Sequence, residues 1–366
     1  MARVADWGRT PTSEGHEQVY ARGQTSVLQG GKDVFVFNAW YVAAWSTEVT
    51  REPTRRVLLE IPVVLYRLLD GTPVALEDRC AHRGYPLSAG KVVDDVIECG
   101  YHGFRFDCSG ACVHIPAQER IPPRAQVRSF PVREQDGWIW LWTGDPEKAD
   151  VVKVPDTHWM NDPAWATVTH SFPFECSADL IHDNLLDLTH ETFIHTSTVG
   201  DDYIPLHPLT VEVDGDVVSA DRLMPGVEAP PLYAKTMGLS GLYDRFHQTV
   251  FYAPSCHILH SGITGQGRPR EEGYLITVMN GITPVTAATS HYFYAFSRNF
   301  GVDQQWATDE LVDGLRVVLQ EDADALRWQE IGLQSRPGGE RDVLIGQDSG
   351  LAKARKVMER LLAAES

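Results

Sequence analysis

The chain is short of positive charge: 32 lysines and arginines stand against 50 aspartates and glutamates, a net charge of −18 at pH 7. A surface of that sign does not suit phosphate backbones, which excludes nucleic acid as a partner. It suits a partner with a positive patch, although solubility alone also explains an acidic surface. Long apolar runs are missing too. No stretch of eighteen apolar residues occurs, and the first thirty residues are polar, with no apolar segment of a secretion signal. These absences predict a cytoplasmic protein that does not cross a membrane. No G-x-G-x-x-G follows a strand-like run and no C-x4-C-x2-C spacing occurs. The chain therefore has no visible means of accepting a hydride by itself.

What is present reads as globular. Hydrophobic residues make up 43% and charged residues 22% of 366, enough for two domains with sizeable cores. Residues 1–35 lack hydrophobic periodicity and read as an extended arm. From 36 to 150, short β-branched and aromatic runs alternate with turn signals. Val57 to Ile61, Val63 to Leu68 and Val74 to Glu77 are strand-like, with Asp70-Gly71 a hairpin turn. Asp136-Gly137 precedes Trp138-Ile139-Trp140-Leu141-Trp142, an alternation that places three tryptophans on one strand face as core. This predicts an all-β domain. Residues 151–366 mix strands (Ala166 to Phe174, and a long β stretch from Phe246 to Phe300) with helices (Ala178 to about His195, Thr308 to about Gln334, Leu351 to Ala364). That pattern predicts helices packed on one face of an antiparallel sheet, so the chain as a whole is α+β.

Within the β domain, Cys80-Ala81-His82 is followed after sixteen residues by Cys99-Gly100-Tyr101-His102. Two thiolates and two imidazoles can bind one tetrahedral zinc or a [2Fe-2S] cluster with Cys ligands on one iron and His ligands on the other. Each loop donates one Cys and one His, which favours the binuclear centre. Gly84 and Gly103 lie just beyond the histidines, where a tight wrap needs them. Cys108 and Cys112 lie nearby but read as ordinary thiols, since a filled Cys2His2 set has no vacancy. The segment resembles the Rieske motif of the aromatic-ring oxygenases, with Cys80, His82, Cys99 and His102 as ligands. In respiratory Rieske proteins a disulfide clamps these loops, at about the positions of Tyr85 and Tyr101 here. Its absence matches the soluble oxygenase type and tolerates a reducing compartment.

A second constellation follows at Asn184-Leu185-Leu186-Asp187-Leu188-Thr189-His190-Glu191-Thr192-Phe193-Ile194-His195. Asn184, Asp187 and His190 are three apart and share a helix stripe. His195 stands about 140° from His190 around an ideal helix, so both rings reach one metal only if the helix ends or bulges between them. A mononuclear Fe(II) that activates O2 needs two histidines, one carboxylate and open positions. Leu311, Leu315, Val318, Asp322, Leu326, Gln329 and Leu333 recur at three and four, which puts Asp322 on a buried stripe and nominates it as the carboxylate. Glu321 and Asp324 point away from that stripe, toward solvent.

These residues, with Gln329, are similar to the catalytic signature of the Rieske non-heme iron oxygenases, in the vanillate O-demethylase-like branch. The resemblance implies a helix-grip catalytic domain and a homotrimer in which Asp187 bridges His190 to a Rieske histidine of the neighbouring subunit. It implies electrons from a separate NAD(P)H-dependent reductase carrying flavin and iron–sulfur, or from a ferredoxin. It also implies O2 and an aromatic substrate, with oxidative O-demethylation of a methoxybenzoate-type compound as the reaction. Methyl or ring hydroxylation of another aromatic acid is the nearest rival. An electron carrier with an appended ligand-binding domain, or a ligand-binding module fronted by structural zinc, is the reading from another class. For the substrate, Phe251 is a candidate wall, and His257, Arg245 and Arg298 are candidates to hold a carboxylate.

Overall fold

The computed structural model describes residues 3–4, 34–336 and 342–365. The arm expected over residues 1–35 therefore lies outside the described residues, except for Arg3–Val4, Val34 and Phe35. Short strands build the first half. Ser129–Phe130, Pro73–Glu77, Ile61–Arg67 and Thr54–Leu58 form one sheet, and Val132–Gln135, Trp138–Trp142 and Trp40–Trp45 a second. A small third sheet, Lys91–Val93, Val96–Glu98, Arg105–Phe106 and Cys112–His114, carries the Cys99 loop. Asp70-Gly71 and Asp136-Gly137 turn hairpins as expected, with glycine φ of +90° and +87°.

One turn is not marked by composition. Leu59 and Glu60, at φ +50° and +63°, reverse the chain inside the run expected to be a Val57–Ile61 strand. Their N–H groups donate to the Pro284 and Val285 carbonyls of the second half at 2.8 and 2.9 Å. Tertiary contact thus holds two non-glycine residues in a conformation that their side chains disfavour.

The second half is a sheet of seven antiparallel strands in the order Ala166–Phe174, Thr289–Arg298, Tyr274–Thr286, Cys256–Thr264, Leu242–Tyr252, Val217–Glu228 and Thr210–Asp214, with Arg3–Val4 parallel to its first edge. Helices Ala178–Leu186, Pro231–Met237 and Gln305–Gln334 pack on one face. Helix Ser349–Ala364 lies against Val217–Glu228 and Ala178–Leu186. The Pro231–Met237 helix is absent from the sequence reading. Its signals are a proline in the first turn and Gly238 in the left-handed C-terminal position, but seven residues are too few to establish a period. Among the described residues no helix is long and apolar enough to cross a membrane.

The halves share a core. Trp138, Trp140 and Trp142 are buried as expected, but so are Ile139 and Leu141 on the opposite strand face. The tryptophans join Trp40 and Trp45 against Ile258, Met279, Phe293 and Ala295 of the large sheet. Ile139 and Leu141 belong to the cluster against which Met358, Leu361 and Leu362 of the last helix pack. At the same seam the Glu365 carboxylate accepts from the Asn38 backbone N–H at 2.7 Å and from Asn38 Nδ2 at 2.9 Å. Trp45 sits 4.1 Å from Trp138 and 6.2 Å from Phe293, ring centre to ring centre. Trp45→Ala is therefore expected to cost about 3–5 kcal/mol of stability, by the cavity it leaves, in denaturant unfolding.

Candidate metal centres

Two loops of one design stand side by side. In each, the cysteine N–H donates to the carbonyl five residues on: Cys80 to Tyr85 at 2.9 Å, Cys99 to Phe104 at 2.8 Å. The glycine four residues on then closes back onto the cysteine carbonyl, Gly84 at 2.9 Å and Gly103 at 3.0 Å, both glycines at φ +70°. Cys80 and Cys99 are buried, whereas His82 and His102 are exposed, their ring centres 4.6 Å apart. Burial, reinforced by the Cys99 thiol, pushes the Cys80 thiol up to about 11. A thiol so held ionises readily only beside a cation. The four residues do not converge on one point as ligands of a single zinc ion would. Among the described residues, three donor atoms come within 4.8 Å of one another at a different place, discussed below. A thiol end and an imidazole end, set apart, fit a two-iron cluster. Tyr85 and Tyr101 meet across the loops with ring centres 5.5 Å apart and planes tilted by 43°, and all six cysteines are free.

The two glycines differ in the room around them. A Cβ on Gly84 would meet nothing closer than Arg79 Cγ at 3.7 Å, while one on Gly103 would lie 2.9 Å from Pro116 Cγ. Gly103→Ala is expected to lose more cluster than Gly84→Ala, which bears only the backbone cost of about 1–2 kcal/mol. The visible iron–sulfur absorbance per chain measures the difference.

The second constellation forms where a helix fails. Ala178–Leu186 ends at Asp187 (φ −119°, ψ 84°), a 3-10 turn follows over Leu188–His190, and a short helix covers Glu191–Ile194. The expected continuous stripe through Asn184, Asp187 and His190 is thus corrected: Asp187 leaves the helix, because its carboxylate takes the Thr189 N–H at 3.1 Å and the Thr189 hydroxyl. This break brings both histidines to one place. His190 Nε2 and His195 Nε2 lie 3.5 and 3.3 Å from Asp322 Oδ1, with their rings near perpendicular. Asn184 Nδ2 donates to the same Asp322 oxygen at 3.1 Å.

The other ring nitrogens determine the tautomers. His190 Nδ1 meets the Asp187 carbonyl at 2.5 Å, and His195 Nδ1 meets the Glu321 carboxylate at 2.8 Å. Both partners accept, so each Nδ1 carries hydrogen and each Nε2 is the atom turned toward Asp322, a lone-pair donor once a bound cation displaces its proton. His195 Nε2 is buried and lacks a hydrogen bond of good alignment. Three lone-pair donors facing one another fit a divalent metal. Burial opposes charge on His195, but the carboxylates of Asp322 and Glu321 outweigh it and hold the ring up to about 9. Glu321, expected in solvent, instead orients His195. Its adjacency to Asp322 is the only signal in the sequence.

The large sheet supplies the wall beneath. Tyr294, Asn280, His257 and Phe251 lie in register on four neighbouring strands, and Phe296, Val278, Leu259 and Thr249 form the next row. Buried polar atoms without partners gather on this face: Tyr294 Oη, Asn280 Nδ2, His257 Nδ1, Thr249 Oγ1 and His247 Nδ1. Burial first, and the charge of Asp322 second, raise the Tyr292 hydroxyl well above its ordinary range. Tyr292, Tyr294 and Phe296 pack in one cluster with Leu319 and Leu326 of the long helix, the apolar residues on either side of Asp322, so the aromatic face lies beside the donor triad. Phe251, stacked on His257 at 4.4 Å, instead packs with Leu186, Leu351, Ala354 and Val357 under the last helix, and His257 Nε2 lies 2.8 Å from His182 Nδ1, so both are committed to the interior. Arg245 is on the same face but is committed to Asp201, Glu191 and the Val199 carbonyl. Arg298 is held by Phe300, Gln304 and Thr308 at the start of the long helix. Thr308 precedes Asp322 by fourteen residues, about 21 Å of helix. Neither arginine is open to a substrate carboxylate at the triad.

Comparison with known proteins agrees with this architecture. Residues 39–131 match the Rieske [2Fe-2S] domain and residues 174–364 the vanillate O-demethylase oxygenase C-terminal domain. The chain is 36% identical to the vanillate O-demethylase oxygenase subunit of Pseudomonas sp. (strain HR199 / DSM 7063), over 91% of this chain and 96% of that one. It is 35% identical to the toluene-4-sulfonate monooxygenase system iron-sulfur subunit of Comamonas testosteroni, over 91% and 99%. The crystal structure of dicamba monooxygenase bound to 3,6-dichlorosalicylic acid superposes with a TM-score of 0.87 at 33% identity, over 91% and 99%. A Rieske cluster, a mononuclear iron and electrons from a separate reductase or ferredoxin go with these likenesses. The chain belongs to the vanillate O-demethylase-like family of Rieske oxygenases and is the oxygenase component, an oxidoreductase.

Proposed function

We propose that this oxygenase removes an O-methyl group from an aromatic acid of the methoxybenzoate type. The observation that carries the reading is the His190–His195–Asp322 triad set against an aromatic, polar-dotted sheet face in a chain that also carries the cluster loops. Cys80, Cys99, His82 and His102 hold the cluster, and His190, His195 and Asp322 hold the iron. When bound, the cluster relays electrons and the iron activates O2. Glu321 and the Asp187 carbonyl hold each ring by Nδ1 so that both Nε2 atoms face the metal position, and Asn184 steadies the Asp322 oxygen. The sheet face orients the ring and excludes water. Insertion of one oxygen atom into a methyl C–H bond turns Ar–O–CH3 into Ar–O–CH2OH, which collapses to a phenol and formaldehyde. The second oxygen leaves as water, with two electrons from NAD(P)H by way of the partner.

The electron route in this reading crosses a subunit contact in a homotrimer. Within one chain, no hydrogen bond, ion pair or ring contact among the described residues joins the cluster loops to the Asn184–His195 segment. Thr189 occupies one Asp187 oxygen, leaving the other without a partner among the described residues. On the same segment Phe193 is 74% exposed, and Tyr101 at the cluster tip is 59% exposed. Contact between these two surfaces would cover both rings and let Asp187 reach His82 or His102 of a neighbour. The six free cysteines suit the reducing cytoplasm.

A second reading, hydroxylation of an aryl methyl group, draws on the toluene-4-sulfonate monooxygenase subunit at similar identity. The deciding experiment supplies reductase, NADH and O2 with methoxybenzoates and methylbenzoates. Formaldehyde with the matching phenol is expected. A hydroxymethyl product without formaldehyde selects the second reading, and neither product discards both. Asp322→Ala should empty the mononuclear site while the cluster absorbance stays; full iron content would move the ligand assignment. Asp187→Asn retains an oxygen acceptor for Thr189, and with it the helix break, so both metal sites should stay filled while turnover drops by roughly 10–100-fold, and undiminished turnover would remove the bridge.

A further inference from the structure

Arg245 rises from the Leu242–Tyr252 strand and is 1% exposed. Its guanidinium is committed to a single stretch of chain. Nη1 pairs with Asp201, and Nη2 donates to the Glu191 carboxylate at 3.2 Å and to the Val199 carbonyl at 3.0 Å. That stretch begins next to His190 and contains His195.

The loop is tightly tied to itself. The His195 N–H donates to the Glu191 carbonyl at 3.1 Å, the Gly200 N–H to the His195 carbonyl at 2.9 Å, and the Thr192 hydroxyl to the Asp201 carbonyl at 2.6 Å. Gly200 is crowded enough that a Cβ would lie 2.1 Å from the Glu191 carbonyl. These bonds make the loop compact without placing it. Among the described hydrogen bonds, those that join it to the sheet come from Arg245. Asp322 and Glu321 approach from a separate helix, so the three donor atoms meet only if the loop stands at one height and angle over the sheet. A flat guanidinium with donors in fixed directions sets both, which a point charge on a flexible stem cannot do.

We infer that Arg245 is a positioning residue of the mononuclear metal centre, holding the His190–His195 loop where both Nε2 atoms meet Asp322. The inference rests on the metal assignment above. It gives the buried cation a partner set of two carboxylates and a carbonyl, in place of a substrate carboxylate.

The test uses the full-length protein with its cluster in place. Fe(II) affinity at the mononuclear site is measured by chelator competition, the cluster absorbance reports folding, and the thermal midpoint is recorded alongside. Arg245→Gln is expected to weaken Fe(II) binding by roughly 10–100-fold with the cluster absorbance unchanged, the range seen when a partner of a metal ligand is lost. Arg245→Lys keeps the charge but not the fork, and is expected to restore little of the loss. Parent-like iron affinity in a folded Arg245→Gln protein would overturn the inference. So would full rescue by lysine, or loss of iron only in step with the cluster and the thermal midpoint. Should neither Arg245 variant fold, Glu191→Ala decides, since it leaves Arg245 paired with Asp201. There about tenfold weakening is expected, and unchanged affinity would overturn the inference. A parent protein that binds no mononuclear iron would instead discard the metal assignment itself.

Discussion

Both ring nitrogens of His195 are engaged by consecutive residues of one helix, Nδ1 by Glu321 and Nε2 by Asp322. Consecutive helical residues point about 100° apart, so the pair can straddle a single imidazole in only one rotation of that helix. The rotation is enforced by the apolar stripe of Leu311, Leu315, Leu319 and Leu326, buried against the sheet. Core packing thus sets the phase of the helix, the phase sets the two carboxylates, and the carboxylates set the tautomer that leaves a lone pair for metal. The break at Asp187 does the equivalent for His190, whose Nδ1 finds a carbonyl exposed where the helix stopped.

The two halves of the chain behave physically as one body. Tryptophans from two strands of the small domain fill the gap above the large sheet, and the Leu59-Glu60 turn hydrogen-bonds to that sheet's backbone. The last helix contributes Met358, Leu361 and Leu362 to the small domain's core. A seam made of buried aromatic side chains and backbone bonds does not hinge, because any rotation would open voids in a close-packed interior. The distance from cluster to triad within a subunit is therefore fixed by the fold.

Charge inside the second half follows the same economy. Arg245 and Arg298 sit on a sheet face next to aromatic residues, where a sequence argument places substrate contacts. Burial removes the solvation of a guanidinium, so each has recruited local partners, carboxylates for one and backbone carbonyls with a hydroxyl for the other. The buried polar atoms left unpaired on this face belong to neutral groups: a tyrosine hydroxyl, an amide, a threonine hydroxyl and two imidazoles.

Much was legible in the chain itself. Cys80, His82, Cys99 and His102 declare themselves by spacing, because both loops are short and their ligands close in sequence. The hairpin at Asp70-Gly71, the strand Ala166–Phe174 and the C-terminal limit of the long helix also follow from local preference and period, whereas that helix starts at Gln305, three residues before the expected Thr308. Asp322 could be nominated because helix periodicity reports burial. Glu321 could not be credited, since the same periodicity sends it outward and only the docked loop brings His195 over to meet it. The Leu59-Glu60 turn and the neutralisation of Arg245 share that origin, whereas the helix break at Asp187 is local, made by its carboxylate and Thr189. Local sequence determined which residues are chemically able to hold metal and which segments coil or extend. Tertiary structure decided which of them meet, because contacts between residues more than a hundred positions apart depend on how helices and sheet pack, a property no single segment encodes.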